Sequence, residues 1–401
     1  MTWRSSTCSG YEENGAASRR HPPFTPGIKA KKMPNLLFCL TPGGSLSQWR
    51  RMGTLEREIL LCADYARAGW RVKILSFKKE VAASYGLPAG ITVVRFPHVR
   101  LLPFLFVLRL DLGKWADVIK TNQSAGSWDY VRAARWWRKP ILLRCGYVAG
   151  RSLELEKGRT PHVSAYQAKE ASAFTAADRV QVTTPLLAQW VRDRYGVSPE
   201  KLAVLPNFVE TELFAPGSTD GRMPKSVVSV GRLTKVKRFD LLIAACAKAG
   251  VQTLTLIGEG PEHAVLESLA GGFQMKVVFA GRISNREIPR LLCRHEVYVQ
   301  VSCYEGHPKS LIEAMSCSLP CLVSDSPGLR EQIEHGATGL VAGQSVESMA
   351  DGLTALMNNK NLRATLGRAA RSNIVAAMAY EKIRDREFNT LRDMAGLQNY
   401  V

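Results

Sequence analysis

The chain has 401 residues, enough for two domains of ordinary size, and its 54 Lys and Arg against 35 Asp and Glu give a formal charge of +19. No apolar run approaches the ~20 residues of a membrane-spanning helix, and the polar amino terminus lacks the apolar segment of a secretory signal. The nine cysteines are scattered, without the paired spacing of a zinc site, which predicts free thiols and a cytoplasmic protein.

Residues 1–33 are rich in Ser, Gly, Pro, Arg and Lys and have no periodicity, so we expect a disordered basic tail, with Met33 as a candidate true start. Beyond it, short apolar runs alternate with helical patterns, as in parallel βαβ units. Strands are predicted over residues 35–40, 71–77, 91–95, 118–121, 141–144 and 179–183, and a helix over 57–68. Residues 215–225 have loop-forming chemistry, so we assign a first domain to residues 34–215.

The same alternation continues in a second domain, assigned to residues 216–375. Its strands are predicted over residues 226–230, 253–257, 276–280, 297–301 and 320–324. A final segment, residues 376–401, contains a charged helix predicted over 380–392. The fold class is therefore α/β, with two Rossmann-like parallel-sheet domains.

The string EGHPKSLIEAMSCSLP places two glutamates, Glu305 and Glu313, eight positions apart. The first follows the apolar strand 297–301, and the second lies in a short helix predicted from Ser310. Ser310 and Leu311, at the start of this helix, are predicted to bind the donor. The free N–H groups and dipole of a helix start favour an anion. Glu305 can accept hydrogen bonds from a hexose and Glu313 from a ribose, and a nucleotide-sugar has both, joined by a diphosphate. The alternative is an ordinary acidic helix start.

A basic loop follows the first strand of the second domain. Gly231 permits close backbone approach, Arg232 can fork onto phosphate oxygens, and Lys237 adds a point charge. These charges suit a leaving diphosphate, although alone they would indicate only a basic surface loop. Gly258 and Arg282 follow the next two strands, at the edge where open α/β sheets bind ligands. We place Gly258 near the diphosphate and Arg282 near the base.

These motifs resemble the retaining glycosyltransferases of family four, the "group one" family with the GT-B fold. That family has Glu-x7-Glu, then Ala-Met and a Pro. The matching residues here are Glu305, Glu313, Ala314, Met315 and Pro320. The family also has Arg directly after the loop glycine and Lys five residues later, as here, but its usual next Gly is Arg238. The resemblance is specific over residues 226–343 and weaker before them.

The resemblance implies that residues 34–215 bind the acceptor, that residues 216–375 bind a nucleotide-sugar, and that the final helix crosses back to the first domain. Strand-end residues predicted to contact the acceptor are Gly43, Gly44, Asn122, Arg144 and Tyr147. Many relatives have a sugar-contacting His where this chain has Cys145. The implied reaction retains the anomeric configuration through front-face departure assisted by the leaving phosphate.

The sequence contains no Asp-x-Asp motif, so a metal-dependent glycosyltransferase is disfavoured. We therefore predict no metal ligands. We also predict no cofactor, because the nucleotide-sugar is a substrate. Fixed cations, Arg232 and Lys237, and the helix start at Ser310 would stabilise the leaving phosphates instead. Glu305, Arg232 and Lys237 are the predicted catalytic residues.

The basic excess lies mainly in the first domain, where residues 34–215 carry a net charge of +11. Arg132, Arg135 and Arg138 cluster with Trp136 near the apolar run 101–108. This combination suits an anionic membrane surface, and the alternative is a solvated helix face beside ordinary core. Nucleic acid is not a predicted partner, because no recognition motif accompanies the charge.

The sequence thus predicts a glycosyltransferase that moves a sugar to a glycan or lipid-linked acceptor in polysaccharide or glycolipid synthesis, in the cytoplasm or peripherally on the inner face of the membrane. Two alternatives remain: a nucleotide-sugar epimerase of the same fold, and a non-catalytic sugar- or polyanion-binding protein. The side chains do not encode the donor base, the sugar, the acceptor or the oligomeric state.

Overall fold

The computed structural model describes residues 33–218 and 221–397. The tail predicted over residues 1–33 lies outside the described residues apart from Met33. Within the described ranges, no helix is both long and apolar enough to cross a membrane.

The first domain is a seven-stranded sheet with the order β3-β2-β1-β4-β5-β6-β7, and every neighbouring pair is parallel. Its strands are β1 (Asn35–Cys39), β2 (Arg71–Ser76), β3 (Ile91–Arg95), β4 (Val118–Thr121), β5 (Ile141–Cys145), β6 (Arg179–Val182) and β7 (Leu202–Val204). Its helices are α1 (Leu46–Arg51), α2 (Leu55–Arg67), α3 (Leu105–Leu108), α4 (Leu110–Trp115), α5 (Trp128–Trp137), α6 (Ala149–Lys157), α7 (Pro161–Ala176) and α8 (Pro185–Tyr195).

The second domain is a six-stranded parallel sheet with the order β10-β9-β8-β11-β12-β13. Its strands are β8 (Ser226–Val230), β9 (Thr253–Ile257), β10 (Lys276–Gly281), β11 (Val297–Gln300), β12 (Cys321–Ser324) and β13 (Leu340–Ala342). Its helices are α9 (Phe239–Lys248), α10 (His263–Ala270), α11 (Ile288–Leu292), α12 (Lys309–Ser316), α13 (Val346–Asn358) and α14 (Lys360–Met378). Two parallel-sheet domains were predicted, and this fold class is confirmed.

Each sheet is buried on both faces, which explains the nearly continuous apolar character of its strands. In β1, Leu37 and Cys39 belong to the core on one face, whereas Leu36 and Phe38 belong to the core on the other. This division follows the two-residue period of a strand. The two domains meet where the strands of both sheets have their carboxyl ends.

The final helix, α15 (Tyr380–Met394), packs against the first domain. Phe388 stacks near Trp70 with ring centroids 5.1 Å apart, and Glu387 is buried against Lys120 and accepts a 2.6 Å hydrogen bond from the hydroxyl of Tyr65. The charges of Lys120 and Arg144 outweigh burial and lower the pKa of Glu387. The preceding helix, α14, continues to Met378, and α15 begins at Tyr380. Residue 376, the expected start of the final segment, therefore lies within α14.

Candidate active site

A cleft of about 1000 Å³ separates the carboxyl edges of the two sheets, and residues of both domains line it. The second domain contributes the loop after β8, the turn after β9 and the start of α12. The first domain contributes α1, the start of α2 and the start of α6. The motif residues recognised in the sequence therefore face the first domain across a shared space.

Glu305 lies in the loop between β11 and α12 and forms an ion pair with Lys237. Gln300, the last residue of β11, donates a second hydrogen bond of 3.1 Å to the same carboxylate oxygen. The backbone N–H of Glu305 is held by the carbonyl of Pro327 at 2.9 Å. A carboxylate and an ammonium group are thus fixed side by side in the cleft, next to the amino terminus of α12.

Glu313 projects from α12 and is only 3% exposed. Its Oε1 atom accepts a 2.7 Å bond from Arg57 of α2 and a 3.2 Å bond from the side-chain amide of Asn285. Arg57 comes from the first domain and Glu313 from the second, so this ion pair crosses the cleft. Both of these contacts use Oε1, so Oε2 can accept a hydrogen bond from a ligand.

A second ion pair crosses the cleft one residue further along α2. Glu58 binds the ammonium group of Lys309, the first residue of α12, at 2.5 Å. Burial opposes ionisation of Glu58, but the charges of Lys309 and Arg57 outweigh it and lower its pKa to about 2. Burial in turn lowers the pKa of Lys309, against the attraction of Glu58. The start of α12 is therefore tied to the first domain by adjacent residues of one helix.

Close backbone approach shapes the second-domain side of the cleft. Gly258 has a φ of 143°, and a Cβ there would lie 1.9 Å from the carbonyl oxygen of Gly231. Only glycine fits at such a position. Arg232 is exposed in the cleft, and its side chain has no partner among the described residues. Arg282 donates to Glu259 at 2.8 Å and also to the backbone carbonyl of Arg51 in the first domain.

Comparison with known proteins agrees with this architecture. Residues 215–373 match the family model described as glycosyl transferases group 1, and residues 59–213 match the model described as glycosyltransferase family 4.

The chain belongs to the group 1 glycosyltransferases.

Its similarity to individual members of the family is modest. It is 27% identical over 264 residues to the MMP alpha-(1->4)-mannosyltransferase of Mycolicibacterium hassiacum, covering 63% of this chain and 59% of that protein. It is 26% identical over 201 residues to the UDP-Gal:alpha-D-GlcNAc-diphosphoundecaprenol alpha-1,3-galactosyltransferase of Escherichia coli, and the match covers 45% of this chain and 51% of that protein. The matches thus span about half the length of these relatives.

Solved structures of similar shape carry the same two-domain fold. HepE of Anabaena in complex with UDP-glucose superposes with a TM-score of 0.74, at 18% identity, covering 90% of this chain and 100% of that one. At this identity the likeness shows the fold alone. The group 1 chain described here has the GT-B fold that its motifs implied.

The structure brings together most of the residues predicted for the donor. The cleft is lined by Gly231, Arg232, Lys237, Gly258, Arg282, Glu305, Ser310 and Glu313. Leu311 is the exception, because its side chain is fully buried in the core beneath α12. Only its backbone N–H, in the first turn of the helix, remains available to a ligand.

On the acceptor side the structure places the predicted residues differently. Tyr147 lines the cleft and is 45% exposed, whereas Gly43, Gly44, Asn122 and Arg144 are not among the lining residues. Arg144 instead donates to the carbonyl of Leu205 at 2.8 Å and to the side chain of Asn207 at 3.0 Å. Its guanidinium group therefore supports the connection between the domains.

Cys145 does not replace the imidazole that many relatives have. It is fully buried, and burial raises its pKa to about 12, so the thiol stays neutral. Its Sγ atom contacts the carbonyl of Tyr147 at 3.2 Å. His307, which lines the cleft, is 6% exposed, and burial followed by the charges of Arg144 and Lys309 lowers its pKa to about 3.

Sequence reasoning missed the first-domain residues that reach α12 across the cleft. Arg57 and Glu58 were assigned only to a helix, and nothing in their local pattern separates them from surface charges. Lys309 had a usable signal, since it lies inside the glutamate motif immediately before Ser310. Among the described residues, no group of three His, Cys, Asp or Glu is arranged to hold a metal.

Proposed function

We propose that the protein is a retaining, metal-independent glycosyltransferase that moves a sugar from a nucleotide-sugar to a hydroxyl acceptor. The observation that carries the proposal is the juxtaposition of the Lys237–Glu305 pair with buried Glu313 around the amino terminus of α12, inside an interdomain cleft. One end of this arrangement is cationic and suits a diphosphate. Its two carboxylates suit the hydroxyl groups on either side of that diphosphate.

The donor is proposed to lie along the second domain. The diphosphate contacts Arg232, Lys237 and the first N–H groups of α12, where charge and helix dipole act together. The ribose hydroxyls donate to Glu313, and the sugar hydroxyls donate to Glu305. A uridine diphosphate sugar is the first donor to test, because the HepE structures hold UDP or UDP-glucose and the E. coli relative is named for UDP-Gal.

The proposed chemistry needs no covalent intermediate. The bond between the anomeric carbon and the β-phosphate oxygen breaks, and the acceptor oxygen forms its bond on the same face of the sugar. The acceptor proton passes to the departing phosphate oxygen. Lys237 and Arg232 oppose the charge that grows on the diphosphate, so they act most strongly in the transition state.

The acceptor is proposed to enter from the first domain. There the cleft is lined by the exposed side chains of Met52, Tyr147 and Leu155, with Arg151 beside them. This mixture of apolar surface and one cation suits an acceptor sugar that is attached to an anionic group or to a lipid. The E. coli relative is named for an acceptor on diphosphoundecaprenol, which makes a lipid-linked glycan the first class to test.

The decisive experiment incubates the protein with UDP-glucose, UDP-galactose and UDP-N-acetylglucosamine, with and without short-chain prenyl-diphosphate sugars. Acceptor-dependent UDP release, with an α-configured product by NMR, supports the proposal. Interconversion of sugars without UDP release would indicate the epimerase. Binding without turnover for every donor and acceptor would indicate the non-catalytic protein.

A further inference from the structure

Residues 99–110 connect β3 to α4 and carry apolar side chains on both of their faces. Leu102 and Leu105 point inward and are 2% and 1% exposed. A short helical segment that is apolar all round is normally covered on every side. Here the outer face is open. We call its exposed side chains, together with a neighbour from α5, the apolar rim: Leu101, Phe104, Val107, Leu108, Leu110 and Trp136, which are 39% to 58% exposed.

Contacts to α5 hold this face outward. Arg132 donates to the carbonyl of Pro103 at 2.5 Å, and the indole N–H of Trp137 donates to the carbonyl of Phe106 at 2.9 Å. The rings of Phe106 and Trp136 lie 5.4 Å apart. Because buried leucines and side-chain hydrogen bonds both fix the segment, the exposure of its outer face is a built property of the domain.

The charge around the apolar rim has one dominant sign. Residues 95–139 contain nine Lys or Arg, three Asp and no Glu, and one of the nine, Lys120, is buried against Glu387 and does not contribute to this surface. Arg95, Arg100, Arg135 and Arg138 are exposed, and their side chains have no ion-pair partner among the described residues. Arg109 and Arg132 are the two that pair with nearby aspartates. Exposed aromatic and aliphatic side chains surrounded by unpaired arginines are complementary to an anionic lipid surface.

The segment that carries the apolar rim begins at the carboxyl edge of the first sheet. It follows the carboxyl end of β3, and Gly43 follows the carboxyl end of β1. A Cβ on Gly43 would lie 3.7 Å from a methyl group of Val99, at the start of the segment. The segment that carries the apolar rim therefore starts beside the loop that follows β1.

We propose that the first domain docks on an anionic bilayer through the apolar rim, with the six apolar side chains at the level of the acyl boundary and the unpaired arginines on lipid phosphates. Docking requires no turnover, so it stands or falls separately from the proposed reaction. If that reaction is also correct, docking brings the cleft to a lipid-linked acceptor.

The test is flotation of the full chain with vesicles of phosphatidylcholine alone or with phosphatidylglycerol. We expect binding to the anionic vesicles only, weakened by high salt as the charges are screened. Arg100→Glu with Arg135→Glu should reduce binding on the order of tenfold or more. Phe104→Ser with Leu108→Ser should reduce it at low and high salt alike, because apolar insertion is not screened. Brominated lipid should quench fluorescence in the wild type and less in Trp136→Phe.

Matched controls lie on the second domain. Val265 is 63% exposed on α10, and Lys276 and Lys360 are exposed there too. Val265→Ser, and Lys276→Glu with Lys360→Glu, should leave flotation unchanged. The proposal is overturned if the wild type ignores anionic vesicles at low salt. It is also overturned if light scattering shows a dimer that Phe104→Ser with Leu108→Ser dissociates, since the apolar rim would then bind a second copy.

Discussion

Arg57 of the first domain and Glu313 of the second are joined across the cleft by a 2.7 Å ion pair, and Glu58 repeats the crossing to Lys309. The proposed ribose carboxylate is therefore held by the opposite domain. Two adjacent residues of α2 thus tie the first domain to α12 of the second domain.

The first prediction concerns closure of the cleft. Arg57→Ala with Glu58→Ala should favour an open cleft, because each charge-assisted hydrogen bond contributes about 1.5–3 kcal/mol. Small-angle scattering should show a larger radius of gyration without donor, and UDP should bind more weakly. Glu56→Ala is the matched control, since Glu56 is exposed beside the pair. Unchanged scattering in the double variant would mean that the pairs do not govern closure.

Glu305→Gln and Glu313→Gln should each lower acceptor-dependent UDP release by about tenfold to a hundredfold, the effect of losing one charge-assisted bond. The amide keeps the shape of the side chain, so the fold should persist, as circular dichroism would show. Glu334→Gln, on an exposed turn, should behave as wild type. Near-normal turnover in both site variants would remove the donor assignment.

Lys237→Ala and Arg232→Ala should weaken binding of UDP itself, because both charges are proposed to contact the diphosphate. Titration calorimetry at low and moderate salt should show the loss. Lys235→Ala removes a nearby charge that is exposed and does not line the cleft, so it should leave UDP affinity unchanged. Equal affinity in all three variants would count against the placement of the phosphates.

Chelation should not stop the reaction. The proposed stabilisation of the leaving phosphates comes from Arg232, Lys237 and the amino terminus of α12, which EDTA cannot remove. UDP release should therefore continue at the same rate in EDTA. A loss of activity in EDTA that magnesium or manganese restores would contradict the metal-independent mechanism.

The buried imidazole of His307 gives a prediction about pH. Burial lowers its pKa to about 3, whereas an unfolded His titrates near 6.5. As pH falls below 6.5 the unfolded chain takes up this proton and the folded chain does not, so stability is lost. Between pH 7.5 and 5.0 the group should account for about 2 kcal/mol of that loss.

Urea unfolding of His307→Phe measures this contribution. The variant should lose less stability than the wild type between the two pH values. His162→Phe removes an exposed imidazole on α7 and serves as the comparison variant. An identical slope in His307→Phe and wild type would show that the imidazole titrates normally in the folded state.

The sequence by itself determined the two parallel sheets and most of the second-domain residues that line the cleft. Strands buried on both faces read as apolar runs, and β3, β4, β8 and β9 have the predicted bounds. The short strands β7 and β13 were not predicted, because three residues carry too little pattern. Glu305, Glu313, Arg232 and Lys237 were recognisable because their spacing matches the motifs of the group 1 family.

Only the tertiary structure decided which first-domain residues face α12 across the cleft. Arg57 and Glu58 lie about 250 residues before their partners, and no local period encodes such a pairing. The same holds for Arg144, whose strand-end position suggested a ligand but whose guanidinium group binds the backbone of Leu205. Local sequence sets the strands and their ends, whereas the packing of one domain against another sets which side chains meet across the cleft.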